Sequence, residues 1–331
     1  MTITRRTALA GAGAGIGLFM IGRPALAQAT KLRFAHPHPE VDSWHKAALL
    51  MAEKVKEQTQ GRYEIQVFAN GALGSDSQTI GAVRGGSLDI CLTGNPFFTG
   101  LAPKLNVLDL PFLFQSRKHA AVVMDGPIGE GLRKELEGSN LKALATWEIG
   151  WRNLTNNRRP VKTAADMRGL KIRTTPNPAH VQAFRLLGAV PTPMAFTELF
   201  TALETGTVDG QENPVTLILN AKFFEIQKHL SLTRHAFTTG PVVMNKAKFD
   251  AMPADTQKIL LQVAVECAGV QRQMNEDTEG SSLAELKKAG MQAVETPDRD
   301  SFVKAIGNEV EKEFVGKYGS DVLDAIKKAA V

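Results

Sequence analysis

Aromatic residues make up only 6% of the 331 residues, too few for a platform that stacks nucleic-acid bases or polysaccharide rings. There are two cysteines, Cys91 and Cys267, so no disulfide framework organises the chain. Cys91 lies in the apolar run "LDICLTG" and Cys267 in a helical pattern, so two separately buried thiols are expected, each packing as a small hydrophobe. No Cys/His spacing suits a metal. Neither G-x-S-x-G, H-E-x-x-H nor a P-loop occurs, which leaves a hydrolase or nucleotide-dependent enzyme without its usual parts. The uncharged stretch from Thr7 to Gly22 is too short and too glycine-rich for a stable membrane span.

That stretch reads instead as part of an export leader. Paired arginines, Arg5 and Arg6, precede it, and small residues at Ala25–Ala27 suit signal peptidase. The twin arginines predict the Tat route, and cleavage is expected after Ala27. The leader holds Arg5, Arg6 and Arg23 and no acid, so its removal lowers the formal charge from +5 to +2. Nothing then calls for a nucleic-acid partner. The Gly-Ala repeat from Gly11 to Gly17 lacks G-x-G-x-x-G spacing and a preceding strand, so it is no nucleotide loop.

What the rest of the chain does have is alternation. "KLRFAH", "YEIQVFANG", "LDICLTG", "LKALATWE" and "LKIRT" read as strands. Between and after them, "SWHKAALLMAEKVKEQTQG", "SDSQTIGAVRGGS", "PAHVQAFRLLGA" and "AFTELFTALETG" read as helices. Trp44, Ala48, Met51, Ala52 and Val55 share one face of the first helix, with Ser43 placed to cap it. Val181, Phe184 and Leu187 share a face of the third. This order predicts α/β layers around a largely parallel sheet. The C-terminal third differs. One helical pattern opens at Pro253 and Asp255 and ends at Gly290, with Ile259, Leu260, Val263, Cys267 and Val270 on one face and Gly280 as a possible kink. At about 1.5 Å per residue it exceeds one lobe, so it is expected to run across two. No solenoid repeat and no low-complexity linker divides the chain, which is how a hinged clamp is built.

Candidate chemistry concentrates at predicted strand ends, where open α/β sheets bind ligands. Arg173 ends the strand "LKIRT", and Arg152 in "GWRNLTNN" follows the strand ending near Trp147. A guanidinium holds a carboxylate bidentately, as lysine does not; a structural salt bridge is the equally weighted alternative for each. "DGQENP", Asp209 to Pro214, reads as a tight turn whose polar side chains bond local backbone, with a ligand amide from Asn213 as the alternative. His36 and His38 in "HPHP" read as loop residues at the end of the first strand, where one would touch ligand.

The segments "DMRGLKIR" and "LGAVPTPMAFTELFTALETGTVDGQENP", with "EKVKEQTQGRYEIQVFANGALGSD", "GGSLDI" and "DLPFLF" before them, resemble the extracytoplasmic solute-binding proteins of tripartite ATP-independent periplasmic (TRAP) transporters. The resemblance covers essentially the whole chain after the leader. It implies two α/β lobes around a ligand cleft, bridged by a long helix, with no enzymatic activity; some members bind 2-oxo acids through a metal, but no residue here demands one, so no cofactor or metal is expected. It assigns the substrate carboxylate to Arg173, a secondary clamp to Arg152, a pocket amide to Asn213 and a pocket aromatic to Phe196. Asp76 in "LGSD" matches a ligand contact of sialate-binding members, whereas Gly94 and Asn95 stand where those members have an acid. His36 and Asn95 are therefore taken as selectors from the other lobe. The expectation is a monomeric periplasmic protein with residues 1–27 as leader, 28–149 plus 239–278 as the first lobe and 150–238 plus 279–331 as the second. It would deliver a small organic acid (hydroxy, oxo or dicarboxylic) to a membrane permease. An exported enzyme, or a receptor-linked sensor on the same fold, is the alternative.

Overall fold

The computed structural model describes residues 29–330; the leader lies outside them. Among the described residues, nine strands form one mixed sheet. β1 (Thr30–Ala35), β2 (Tyr63–Phe68) and β3 (Ile90–Leu92) pair in parallel, with α1 (Ser43–Gln58) and α2 (Asp76–Arg84) as the crossovers. A helical segment follows, with 3-10 turns over Pro103–Asp109, then α3 (Arg117–Asp125) and α4 (Pro127–Lys134). β4 (Leu141–Asn156) leads into β5 (Lys171–Thr174), α5 (Pro178–Leu186), β6 (Val190–Pro193), α6 (Phe196–Glu204), β7 (Gly210–Asn213) and α7 (Val215–Asn220). β8 (His229–Asn245), a short α8 (Lys246–Asp250) and α9 (Ala254–Lys288) then return across the molecule, and β9 (Gln292–Val294) and three helices (α10 Arg299–Ile306, α11 Glu309–Tyr318, α12 Asp321–Lys328) close it.

The strand order is β2-β1-β3-β8-β4-β7-β5-β6, with β9 beside β8. The sheet is less parallel than the alternation suggested, because β8 and β4 are antiparallel to each other and to their neighbours β3 and β7. These two long strands pass through both halves of the sheet. Their antiparallel pairing reverses the direction of one half relative to the other. Consequently the carboxyl ends of β1 and β3 point toward those of β5 and β7, and all four converge on the middle of β4 and β8. A cleft between two sets of strand ends follows from that connectivity alone.

The pairing of β4 with β8 is interrupted at its centre, with register shifts between Ala143 and Ala145, between Glu148 and Gly150, and between Arg152 and Leu154. Gly150 adopts φ +123, a conformation that side chains rarely tolerate. Bulged backbone groups lose their ladder partners and must be satisfied elsewhere. Gln271 of α9 accepts from the Glu148 N–H at 2.9 Å and donates to the Glu148 carbonyl at 2.9 Å. Asn275 donates to the Glu148 carboxylate at 3.2 Å. Two buried amides in mid-helix are thus explained by the irregular strand beneath them.

At 35 residues, α9 is about 52 Å long and belongs to two cores. Leu260, Val263 and Cys267 pack with Trp44, Met51 and Phe34 around α1 and β1, whereas Leu286 packs with Leu199, Leu203 and Phe223. The helix runs unbroken through Gly280. Val270 is exposed, not buried, because Gln271 and not Val270 faces the bulge. On α1 the cap is Asp42, whose carboxylate accepts from the Trp44 N–H, in place of the expected Ser43. On α5 the buried face is Ala179, His180, Ala183 and Phe184, with Val181 only half-buried.

Both cysteines are buried and unpaired. Burial pushes the Cys91 thiol far up and the Cys267 thiol up to about 11. Thiol-reactive probes at neutral pH should label neither residue in the native protein and two thiols per chain in denaturant without reductant; a zero count under denaturing conditions would show a bridge.

Candidate ligand-binding site

A small, partly open cavity lies where the two sets of strand ends meet. From the first lobe come His38 after β1, Asp76 at the start of α2, and Gly94, Pro96 and Phe97 after β3. From the second come Arg173 and Thr175 at the end of β5, Phe196 at the start of α6 and Asn213 at the end of β7. Ile149, Arg152 and Thr238 come from the crossing pair itself.

The two arginines differ in what already holds them. Arg152 is inside β4, not beyond a strand end, and is fully buried. Its Nε and Nη2 form a fork on the Glu212 carboxylate, with Nη2 to Oε1 at 2.8 Å, and Nη2 also reaches the Asn213 Oδ1 at 3.2 Å. Burial pushes the Glu212 carboxyl upward. The Arg152 guanidinium and a hydrogen bond with His235 at 3.2 Å outweigh it and hold the group well below the usual range. Arg152 is therefore neutralised inside the protein. Arg173, equally buried, has no acidic partner among the described residues. Its Nε and Nη2 donate to the Met194 carbonyl at 3.1 and 2.8 Å. Burial pulls its proton affinity down to about 10, with Glu212 opposing. A desolvated cation held only by a carbonyl is costly unless an anion completes it.

Asn213 was read as part of a turn. In the structure Gly210–Asn213 is a buried strand between β4 and β5, and its polar side chains bond side chains across the sheet. The Asn213 amide donates to the Gln211 Oε1 at 2.5 Å, and the Gln211 amide donates to the Thr155 hydroxyl at 2.9 Å. Phe196 lines the cavity, and its N–H donates to the Asp76 carboxylate at 3.0 Å, joining the two lobes. The other Asp76 oxygen accepts from the Thr93 hydroxyl.

Two expected selectors lie outside the cavity lining. His36 is turned against α1, its Nε2 3.1 Å from the His45 Nδ1. Burial and the neighbouring His38 and His45 lower it to about 3, so it stays neutral. Pro37 turns the chain, and it is His38 that faces the cavity. Asn95 spends its amide on the Leu105 carbonyl at 3.0 Å and on Asp109 at 2.6 Å; its neighbours Gly94 and Pro96 line the wall. His38 was named beside His36 as one of two strand-end candidates; the residues that sequence reasoning missed include Thr175, Thr238 and the neutralising Glu212. Only Glu212 carried a signal, as the acid inside "DGQENP".

The chain matches the family model described as bacterial extracellular solute-binding protein, family 7 (DctP), over residues 34–317. It is 42% identical over 312 residues to the 2,3-diketo-L-gulonate-binding periplasmic protein YiaO of Escherichia coli, covering 94% of this chain and 95% of that protein. Its fold superposes on a TRAP periplasmic solute-binding protein of Polaromonas sp. JS666 bound to D-erythronate. The TM-score is 0.88 at 38% identity, over 90% of this chain and 98% of the other. The sugar acid binding protein DctPAm of Advenella mimigardefordensis, in complex with galactonate, gives a TM-score of 0.88 at 36% identity, over 92% and 99% of the two chains. The chain belongs to the DctP family: it is a periplasmic solute-binding protein of the TRAP type, and it binds a small molecule without transforming it.

Asp109, beside the cavity, accepts from Asn95 and, at 2.9 Å, from Asn177 of the other lobe. Burial pushes its carboxyl up to about 7, with Asn95 and Arg152 only partly opposing. Its folded-state value lies above the unfolded one, so the folded state holds the extra proton between about pH 4 and 7. This group's contribution to stability therefore falls as pH rises through that window, by at most about 1.4 kcal/mol per pH unit. Melting temperatures from pH 5 to 8 should show this decline in the wild type and a flatter profile in Asp109→Asn, which mimics the protonated form.

Proposed function

We propose that this protein captures a small organic acid in the interlobe cavity and delivers it to the membrane permease of a TRAP system. The observation that carries this reading is the Arg173 guanidinium: buried, charged, lining the cavity and lacking an acidic partner. A substrate carboxylate supplies the missing charge, and each charge-assisted bond contributes roughly 1.5–3 kcal/mol once water is excluded. Arg152 shapes the floor and presents Asn213, with its own charge balanced by Glu212. Phe196 and Asp76 close the cavity from opposite lobes. His36 and Asn95 support the wall from behind. Relatives that hold D-erythronate and galactonate favour a polyhydroxy acid as the substrate.

The lobes divide as residues 28–149 plus 239–278 and 150–238 plus 279–331. That division falls at the Gly150–Thr238 pair, where β4 is bulged, so the crossing strands bend there. Ligand bridges the lobes and shifts the open–closed population toward closed. One chain binds one ligand, without metal or cofactor, so a chelator leaves affinity unchanged.

A thermal-shift screen of the protein against organic acids tests this directly, since ligand at a hundred times its Kd adds about 2.7 kcal/mol. Two variants separate the arginines. Arg173→Ala should abolish the ligand-induced shift while leaving the unliganded melting temperature unchanged or raised. Arg152→Ala should lower unliganded stability by about 3–5 kcal/mol, because it strands the Glu212 carboxylate. Unchanged affinity in Arg173→Ala would overturn the clamp.

A further inference from the structure

Across the cavity from Arg173, the wall of the first lobe carries a second device. The His38 ring stacks on Trp44, with centroids 4.0 Å apart and planes 7° from parallel, and meets Phe196 of the other lobe at 5.2 Å. Its Nδ1 lies 3.0 Å from the Asp42 Oδ1. That same oxygen accepts the Trp44 N–H at 3.1 Å, and the Asp42 Oδ2 accepts the Asn220 amide at 3.1 Å. Asp42 is the acceptor in all of these contacts, so the His38 Nδ1 carries the proton. The tautomer is thereby fixed. In the neutral ring Nε2 then carries the lone pair; among the described residues it has no protein partner, and the ring lines the cavity.

The rest of this wall has the same character. Asp76 is a carboxylate whose oxygens accept from Thr93 and Phe196. Gly94, Pro96, Phe97 and Ile149 bring no polar side chain. The first lobe therefore offers side-chain acceptors and no side-chain donor, opposite a second lobe that offers the unpaired cation. A ligand held by both needs a carboxylate at one end and hydrogen-bond donors at the other. Hydroxyls meet that demand, and a second carboxylate meets Asp76 and an imidazole lone pair instead.

We propose that His38, oriented by Asp42, is a specificity-determining residue that accepts a hydrogen bond from a ligand hydroxyl and disfavours dicarboxylates. The proposal rests on the cavity being the carboxylate site. Asp42 is then a positioning residue and touches no ligand.

Two matched series test it by titration calorimetry, with competition NMR for weak binders: D-erythronate, butyrate and tartrate, and D-galactonate, hexanoate and galactarate. The wild type should bind the hydroxylated monoacid of at least one series tenfold or more tighter than the other two members. His38→Phe keeps the stacked ring and removes the acceptor. It should weaken that hydroxylated acid by about tenfold or more and leave the unsubstituted acid within twofold. His38→Gln, which returns an acceptor oxygen, should recover most of the loss. Asp42→Asn, which can still cap α1, should show a partial loss confined to the hydroxylated acid. A wild type that binds tartrate or galactarate as tightly as the monoacid overturns the proposal. So does a His38→Phe variant that weakens hydroxylated and unsubstituted acids equally, or neither. Failure of the wild type to bind any of the six acids would instead overturn the carboxylate reading beneath it.

Discussion

The antiparallel pairing of β4 with β8 is the constraint from which the rest of the architecture follows. Two strands of 16 and 17 residues are long enough to serve both halves of the sheet. Because they run in opposite directions, the parallel strands flanking them are forced to point inward. The pairing is broken at its centre, where Gly150 and the register shifts sit, and the orphaned backbone there is satisfied by Gln271 and Asn275 of α9. The long helix is therefore tied by hydrogen bonds to the bend it spans. Its two ends are buried in separate hydrophobic cores, which gives each lobe its own packing while the middle remains polar and adjustable.

Electrostatics at the convergence point follow a simple division. Two guanidinium groups are buried within one cavity, and the protein supplies a full counter-charge to only one. The Arg152–Glu212 pair pays its desolvation cost through a forked geometry and additional bonds from Asn213 and His235. Arg173 is left with the Met194 carbonyl. Two unneutralised cations side by side would repel. One balanced and one unbalanced cation gives a site that is stable when empty and still attracts an anion. The Asp76 bridge to the Phe196 N–H places an interlobe contact at the cavity's edge.

Much of this was legible in the sequence where local pattern and tertiary environment agree. The first strand and helix, the short helix after "LGSD", and the extent of α9 were all readable from periodicity and from Pro and Gly punctuation. Arg173 was readable because a charged residue ending an apolar strand is a local anomaly. β8 was not identified, since a strand buried on both faces shows no alternation. "GQEN" was mistaken for a turn, because a glycine and three polar residues look solvated until Arg152 and Thr155 are brought against them from elsewhere in the chain. His36 and His38 were indistinguishable by sequence, being separated only by the direction in which Pro37 sends the chain.

The sequence by itself determined the class of fold and the family resemblance and singled out Arg173 as a candidate, because strand–helix alternation and a lone strand-end guanidinium are properties of short segments. The tertiary structure decided which arginine is neutralised, which histidine faces the cavity and where the strands bend. Each of those outcomes depends on a partner dozens of residues away: Glu212 for Arg152, Phe196 for His38, Gln271 for Glu148. Burial makes such pairings strong, and only the folded chain brings the partners within reach.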